Sequence, residues 1–110
     1  MRGTIKSCAD INTIFNEGSK LVSSTVIVIM RPTPGQRGQY GRVAFIAGKK
    51  LGNAPTRNRA KRVIREAVRA LPFSLEGFDL IFIARDLTAK QSSEHLRLDL
   101  INMLKNKLRD

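Results

Sequence analysis

The sequence of 110 residues holds one cysteine (Cys8), one histidine (His95), one tyrosine and no tryptophan. A single cysteine excludes an internal disulfide and leaves too few thiols for a zinc cluster, so Cys8 reads as a packing residue. His95 stands near the start of an expected last helix, and no Ser, Cys or carboxylate cluster in the sequence marks a catalytic triad around it. It reads as a surface residue, and protease-type hydrolysis is not supported. Long apolar runs are missing as well: Val26 to Met30 is far too short to span a bilayer. The opening MRGTIKSCADINTIF has no apolar signal-peptide core, which fits a reducing, cytoplasmic setting. Acidic residues are scarce, nine against twenty Lys and Arg. They are also scattered, Glu76 and Asp79 being the closest pair, at an expected turn-to-strand boundary. Two-metal nuclease chemistry needs several convergent carboxylates, and no such set stands out; Asp79 reads as a structural hydrogen-bonding residue.

What is present is one core's worth of apolar residues, 42% of the chain, and a net charge of +11. A chain of this length fits a single domain, residues 1–110, that buries about two-thirds of its unfolded surface. A field that positive attracts a polyanion, nucleic acid first and an anionic membrane second.

The periodicity sets out an α-β-β-α-β-α order. Ser7 and Asp10 are spaced as a capping box, Cys8, Ile11, Ile14 and Phe15 follow at helical spacing, and Gly18 is positioned as a C-cap. Ser24–Met30 is β-branched and reads as a strand, Arg31–Gly41 as a loop rich in Pro and Gly, and Arg42–Gly48 as a second strand antiparallel to the first. Gly52 and Asn53 form a turn, and Pro55 suits the first turn of a helix. In that helix Ala60, Val63, Ile64, Ala67, Val68 and Leu71 make one apolar stripe. Phe78–Ala84 is apolar on both faces of the pleat and reads as a buried central strand. Ser92 or Ser93 caps a last helix anchored by Leu96, Leu100, Ile101, Leu104 and Leu108. The expected fold class is α+β, a two-layer α/β sandwich with helices packed on a small sheet.

The charge concentrates in KKLGNAPTRNRAKRVIREAVRA, Lys49 to Ala70. That stretch contains Lys49, Lys50, Arg57, Arg59, Lys61, Arg62, Arg65 and Arg69 against the single acid Glu66. At about 100° per residue from Arg57, Lys61 and Arg65 fall near 40° and 80°, Asn58 near 100° and Arg69 and Arg62 near 120° and 140°, with the apolar stripe centred near 300°. A solvated helix would intersperse Glu for i,i+4 pairs, whereas like charges at that spacing cost stability. A polyanion that neutralises them removes the cost, and Arg suits bidentate contact with phosphate.

At these residues the chain resembles the protein subunit of bacterial ribonuclease P, in which Lys-Lys-x-Gly-Asn-Ala precedes Arg-Asn-Arg and a Lys-Arg-x-x-Arg-Glu helix. DINTIFNEG is similar to that family's first helix, RVAFIAGKK to its second strand and GFDLIFIAR to its third; together the likeness runs from about Cys8 to Leu108. It implies a fold like the second domain of the fifth small-subunit ribosomal protein, with a left-handed β-α-β crossover. It also implies that an RNA subunit, with bound magnesium, hydrolytically removes the 5′ leader of precursor tRNA, while the protein binds that ribonuclease P RNA and guides the single-stranded leader. Residues carried over for RNA binding are Lys49, Lys50, Asn53, Ala54, Arg57, Asn58, Arg59, Lys61, Arg62 and Arg65. A leader cleft between first helix and sheet would use Ile11, Phe15 and Ile29. Relatives often have aromatic residues at the positions of Ile11, Val26 and Ile29, and Phe15 alone keeps one here. Arg2 and Lys6 are the only basic residues of the N-terminal segment. No membrane and no obligate protein partner is implied.

Two other readings share some of these residues. A ribosomal or DNA-architectural binding module would use the same helix, because phosphate neutralisation is not sequence-specific. A self-sufficient protein nuclease would need a catalytic set that these residues do not offer.

Overall fold

A computed structural model describes residues 3–4, 8–32, 42–73, 75 and 77–105. Five strands, β1 (Gly3–Thr4), β2 (Ser19–Val22), β3 (Val26–Pro32), β4 (Arg42–Ile46) and β5 (Phe78–Ala84), form one sheet in the order β1-β4-β5-β3-β2. Among the described residues, three α-helices accompany it: α1 (Cys8–Glu17), α2 (Ala54–Arg69) and α3 (Ser93–Leu104). β4 and β5 are parallel, joined through α2, and β3 is antiparallel to both β5 and β2.

The sheet order refines the expected pairing. The strands over Val26–Pro32 and Arg42–Ile46 run in opposite senses but are not hydrogen-bonded neighbours, because β5 lies between them. That placement explains β5's composition: Leu80, Ile81 and Phe82 are all fully buried, so both faces and both edges are covered. Two short strands, β1 and β2, were not anticipated. β2 forms a hairpin with β3 and is largely exposed, so it lacks the apolar alternation that marks a strand. β3 also extends to Pro32, into the expected loop; residues 33–41 lie outside the described residues.

Alternation sorts the core into two layers. Val26, Val28, Met30, Val43, Leu80 and Phe82 point to the face covered by α2 and α3, where they meet Ala60, Val63, Ile64, Ala67, Leu96, Leu100 and Leu104. This sheet and helix pair make the α/β sandwich. Ile29, Ala44 and Ile81 point to the other face and meet Ile14 of α1, with Ile11, Ile46 and Ile83 packed around them. α1 ends against β3: a Cβ on Gly18 would sit 2.7 Å from the Ile14 carbonyl oxygen and 2.7 Å from Ile29 Cγ2. Close approach, rather than a left-handed backbone, therefore calls for glycine at 18.

The helix starts follow their caps. Asn53 Oδ1 accepts from the Thr56 backbone N–H at 3.1 Å, with Pro55 in the first turn of α2, and Ser92 Oγ accepts from the His95 N–H at 3.1 Å at α3. Gly52, at φ 126°, makes the turn before Asn53, a conformation that L side chains rarely adopt. Ser7 of the expected capping box, the Cys8 side chain and Leu108 lie outside the described residues and side chains.

Candidate nucleic-acid interface

α2 turns its apolar stripe inward, with Ala60, Val63, Ile64 and Ala67 buried, and this fixes what its other face presents. Asn58, Arg59, Arg62, Arg65 and Arg69 are exposed, and Arg57 and Lys61 are half-buried along one edge of the stripe. The exposed side chains form one cationic surface in which Glu66 is the only acid.

The residues of this surface are not equivalent. Arg65 carries its guanidinium 5.6 Å from the centre of the Phe45 ring, which stacks in turn on Phe82 with centroids 5.6 Å apart. That contact ties Arg65 to the fold while leaving it exposed. Arg59 donates from Nε to the Ala89 carbonyl at 2.8 Å, across to the 3-10 turn Thr88–Lys90 that precedes α3. Arg57 has a buried Nε with no hydrogen-bond partner among the described residues. Asn53 uses its side-chain oxygen to cap α2, so its place in the basic signature has a structural reason; Ala54 is the first residue of the helix and exposed.

Lys49 and Lys50 are exposed on a 3-10 turn, Lys49–Leu51, that leads from the end of β4 into α2. Beside it lies a concavity of about 550 Å³ with Ile46, Ile83 and Leu51 on its wall. Lys49, Lys50 and Arg85 supply positive charge there, and Asp86 one carboxylate. Ile46 and Ile83 belong to the sheet face that α1 partly covers, so the concavity continues that face beyond the helix.

The expected cleft residues are placed differently from one another. Phe15 is 42% exposed and Ile11 half-buried. Ile29 is 2% exposed, in the core with Ile14, Ala44 and Ile81, and so does not face an open cleft; α1 lies over it. Val26 is on the opposite layer, facing α2 and α3, so its identity cannot alter that cleft. Ile46 and Ile83, which do line open apolar surface, were missed because both sit in apolar strand runs that look the same whether covered or not.

Sequence reasoning also missed a row of charges beneath α1. Asp79, fully buried on β5, accepts from Arg31 Nε at 3.3 Å and Nη2 at 3.2 Å, and from the Arg42 backbone N–H at 3.1 Å. Arg42 Nη2 lies 3.6 Å from the same carboxylate. Each arginine also reaches α1: Arg42 Nη1 lies 3.0 Å from Asp10 Oδ2, and Arg31 Nη1 lies 3.1 Å from Glu17 Oε1. Asp79 was expected to be structural, but its partners are 37 and 48 residues away, so nothing local pointed to them.

Comparison with known proteins agrees with the basic signature. The family model for ribonuclease P matches residues 2–108. The chain belongs to the ribonuclease P protein family. The ribonuclease P protein component of Streptococcus pyogenes serotype M12 is 36% identical over 101 residues, covering 92% of this chain and 82% of that one. That of Ligilactobacillus salivarius is 33% identical over 102 residues, covering 92% and 88%. Solved structures of ribonuclease P proteins superpose on the fold. That of Staphylococcus aureus gives a TM-score of 0.80 at 27% identity, covering 97% of this chain and 96% of that one, and that of Thermotoga maritima gives 0.76 at 28%, covering 96% and 97%. As a ribonuclease P protein subunit, the chain is a part of an endoribonuclease complex, and the binding-module reading is not favoured. Among the described residues, no helix is long and apolar enough to cross a membrane.

Proposed function

We propose that the exposed face of α2 binds the RNA of the ribonuclease P particle and that the RNA carries out the cleavage. The observation that carries this reading is the α2 face itself, where six exposed or half-buried cations, Arg57, Arg59, Lys61, Arg62, Arg65 and Arg69, surround Asn58. Phosphate neutralisation by such a face releases counterions, so affinity falls steeply as salt rises. The substrate is precursor tRNA and the product its mature 5′ end, in the cytoplasm. The single-stranded leader lies along the partly apolar surface between α1 and the sheet, past Phe15 and Ile11 toward Ile46 and Ile83. Lys49, Lys50 and Arg85 meet its phosphates. With one aromatic residue in place, leader binding rests more on apolar contact and charge than on base stacking, which contributes about 1–3 kcal/mol per base where an aromatic is present.

Magnesium is assigned mainly to the RNA. Hydrolysis needs a metal held by convergent, available oxygens, and the carboxylates that come together here, Asp10, Glu17 and Asp79, are engaged by Arg31 and Arg42. The test is binding of a bacterial ribonuclease P RNA at several salt concentrations. Affinity for this RNA well above that for duplex DNA of equal length supports the reading; equal affinity for both refutes it.

A further inference from the structure

The row Glu17–Arg31–Asp79–Arg42–Asp10 crosses three strands at one level. Arg31 is the register partner of Asp79 on β3 and β5, and Arg42 precedes the Val43–Leu80 pair of β4 and β5. Two inter-strand spacings come to about 10 Å. Asp10 and Glu17 are seven residues apart on α1, a rise of about 10.5 Å. The helix therefore lies across the sheet with its first turn over β4 and its last over β3, tied at each end to an arginine that shares the buried Asp79.

The angular positions around α1 place this row relative to the cleft. At about 100° per residue from Asp10, Glu17 lies about 20° to one side, while Ile14, Ile11 and Phe15 lie about 40°, about 100° and about 140° to the other. Ile14 points at the sheet, so the two acids lie on one flank of the helix and Ile11 and Phe15 on the other. The acid flank is over Arg31, Asp79 and Arg42. The opposite flank is toward Ile46 and Ile83, two residues further along β4 and β5 from Ala44 and Ile81. Apolar packing alone is a weak constraint on how the helix is rolled, because only Ile11 and Ile14 of its described side chains join the core.

We propose that Asp10 and Glu17 are positioning residues: with Arg31, Arg42 and Asp79 they set the roll of α1 and so hold Phe15 and Ile11 as the wall of the leader cleft. The proposal rests on the leader reading above. It also accounts for charge: two of the chain's arginines are withheld from the polyanion, and three of its nine acids are used in doing so.

The experiment compares wild-type protein with the Asp10→Asn/Glu17→Gln double variant, each assembled with a bacterial ribonuclease P RNA. Substrates are a precursor tRNA with a ten-nucleotide leader and one with a single-nucleotide leader. Neither substitution touches a residue proposed to contact RNA, and both keep size and helix geometry. The expected result is a KM for the long-leader substrate raised about five-fold, the weight of two half-exposed ion pairs, with kcat and the short-leader KM unchanged. Amide hydrogen exchange in α1 should accelerate while α2 and α3 keep wild-type protection. An Asp10→Glu/Glu17→Asp control, which keeps both charges, should behave nearly as wild type. Equal loss for both leaders, or no loss for either, would overturn the positioning role. If wild type itself does not distinguish the leaders, the leader reading fails, and positioning is judged by exchange alone: acceleration confined to α1 supports the anchor, and unchanged exchange refutes it.

Discussion

Asp79→Asn tests whether the charge row beneath α1 is worth what its burial implies. The carboxylate is fully buried, and the side chains of Arg31 and Arg42 are only 9% and 18% exposed. Asparagine keeps the shape and one acceptor oxygen, enough for the Arg42 backbone N–H, but leaves two nearly dry guanidiniums without the charge they share. Removing one partner of a buried pair costs about 3–5 kcal/mol. Glu17 and Asp10 still neutralise each arginine from the outer side, which favours the lower figure, about 3 kcal/mol. For a domain of this size that is a fall in Tm of about 12 °C and a large part of a total stability of about 5–15 kcal/mol. The assay is thermal unfolding by circular dichroism, with urea denaturation to confirm an unchanged m-value. Glu94→Gln, breaking the exposed 3.8 Å pair with Arg97, is the control and should change stability by less than about 1 kcal/mol. A fall of less than about 4 °C for Asp79→Asn, about the control's size, would show that water screens the row and refute the reasoning.

Other outcomes follow from the same geometry. Arg62→Ala should weaken RNA binding and lower the salt slope by about 0.7–0.9 for each phosphate no longer neutralised, with Tm unchanged; titrations at three salt concentrations check this. Arg57→Ala should weaken binding as well, while relieving a buried, unpartnered Nε; equal affinity for both variants and wild type would contradict the basic-face argument. Ile64→Asp, at a fully buried site, puts an unpaired charge into the core and should abolish cooperative unfolding near the wild-type Tm. Gly18→Ala should destabilise by about 1–3 kcal/mol through overpacking against β3. Gly48→Ala, whose Cβ would meet nothing within 4 Å, should be neutral or slightly stabilising in the same denaturation series.

Where local periodicity carried the information, the sequence was readable. The α2 stripe, the turn at Gly52 and Asn53, the bounds of β5 and the division of α2 into apolar and cationic faces all follow from spacing alone. Pairings between distant residues were not readable. Nothing in Ser24–Met30 or Arg42–Gly48 reveals that β5 separates them, since the residues of β5 that pair with each are distant in sequence. Arg31 and Arg42 looked like two more cations of a basic chain; burial beside Asp79 makes them structural. Ile29 and Ile83 belong to similar apolar runs, and only the position of α1 buries one and leaves the other beside open surface. The resemblance to the family, by contrast, rested on the order of residues from Lys49 to Arg69 and on the segments that flank it.

In the proposed function this protein serves an RNA that does the cleaving. The direct measurement is 5′ processing of a precursor tRNA by a bacterial ribonuclease P RNA at low magnesium, with and without the protein, beside the protein alone. Strong stimulation, loss of that stimulation with Arg57→Ala/Arg62→Ala, and no cleavage by the protein alone is the predicted result. Cleavage by the protein alone, or tight RNA binding without stimulation across several bacterial RNAs, would contradict it.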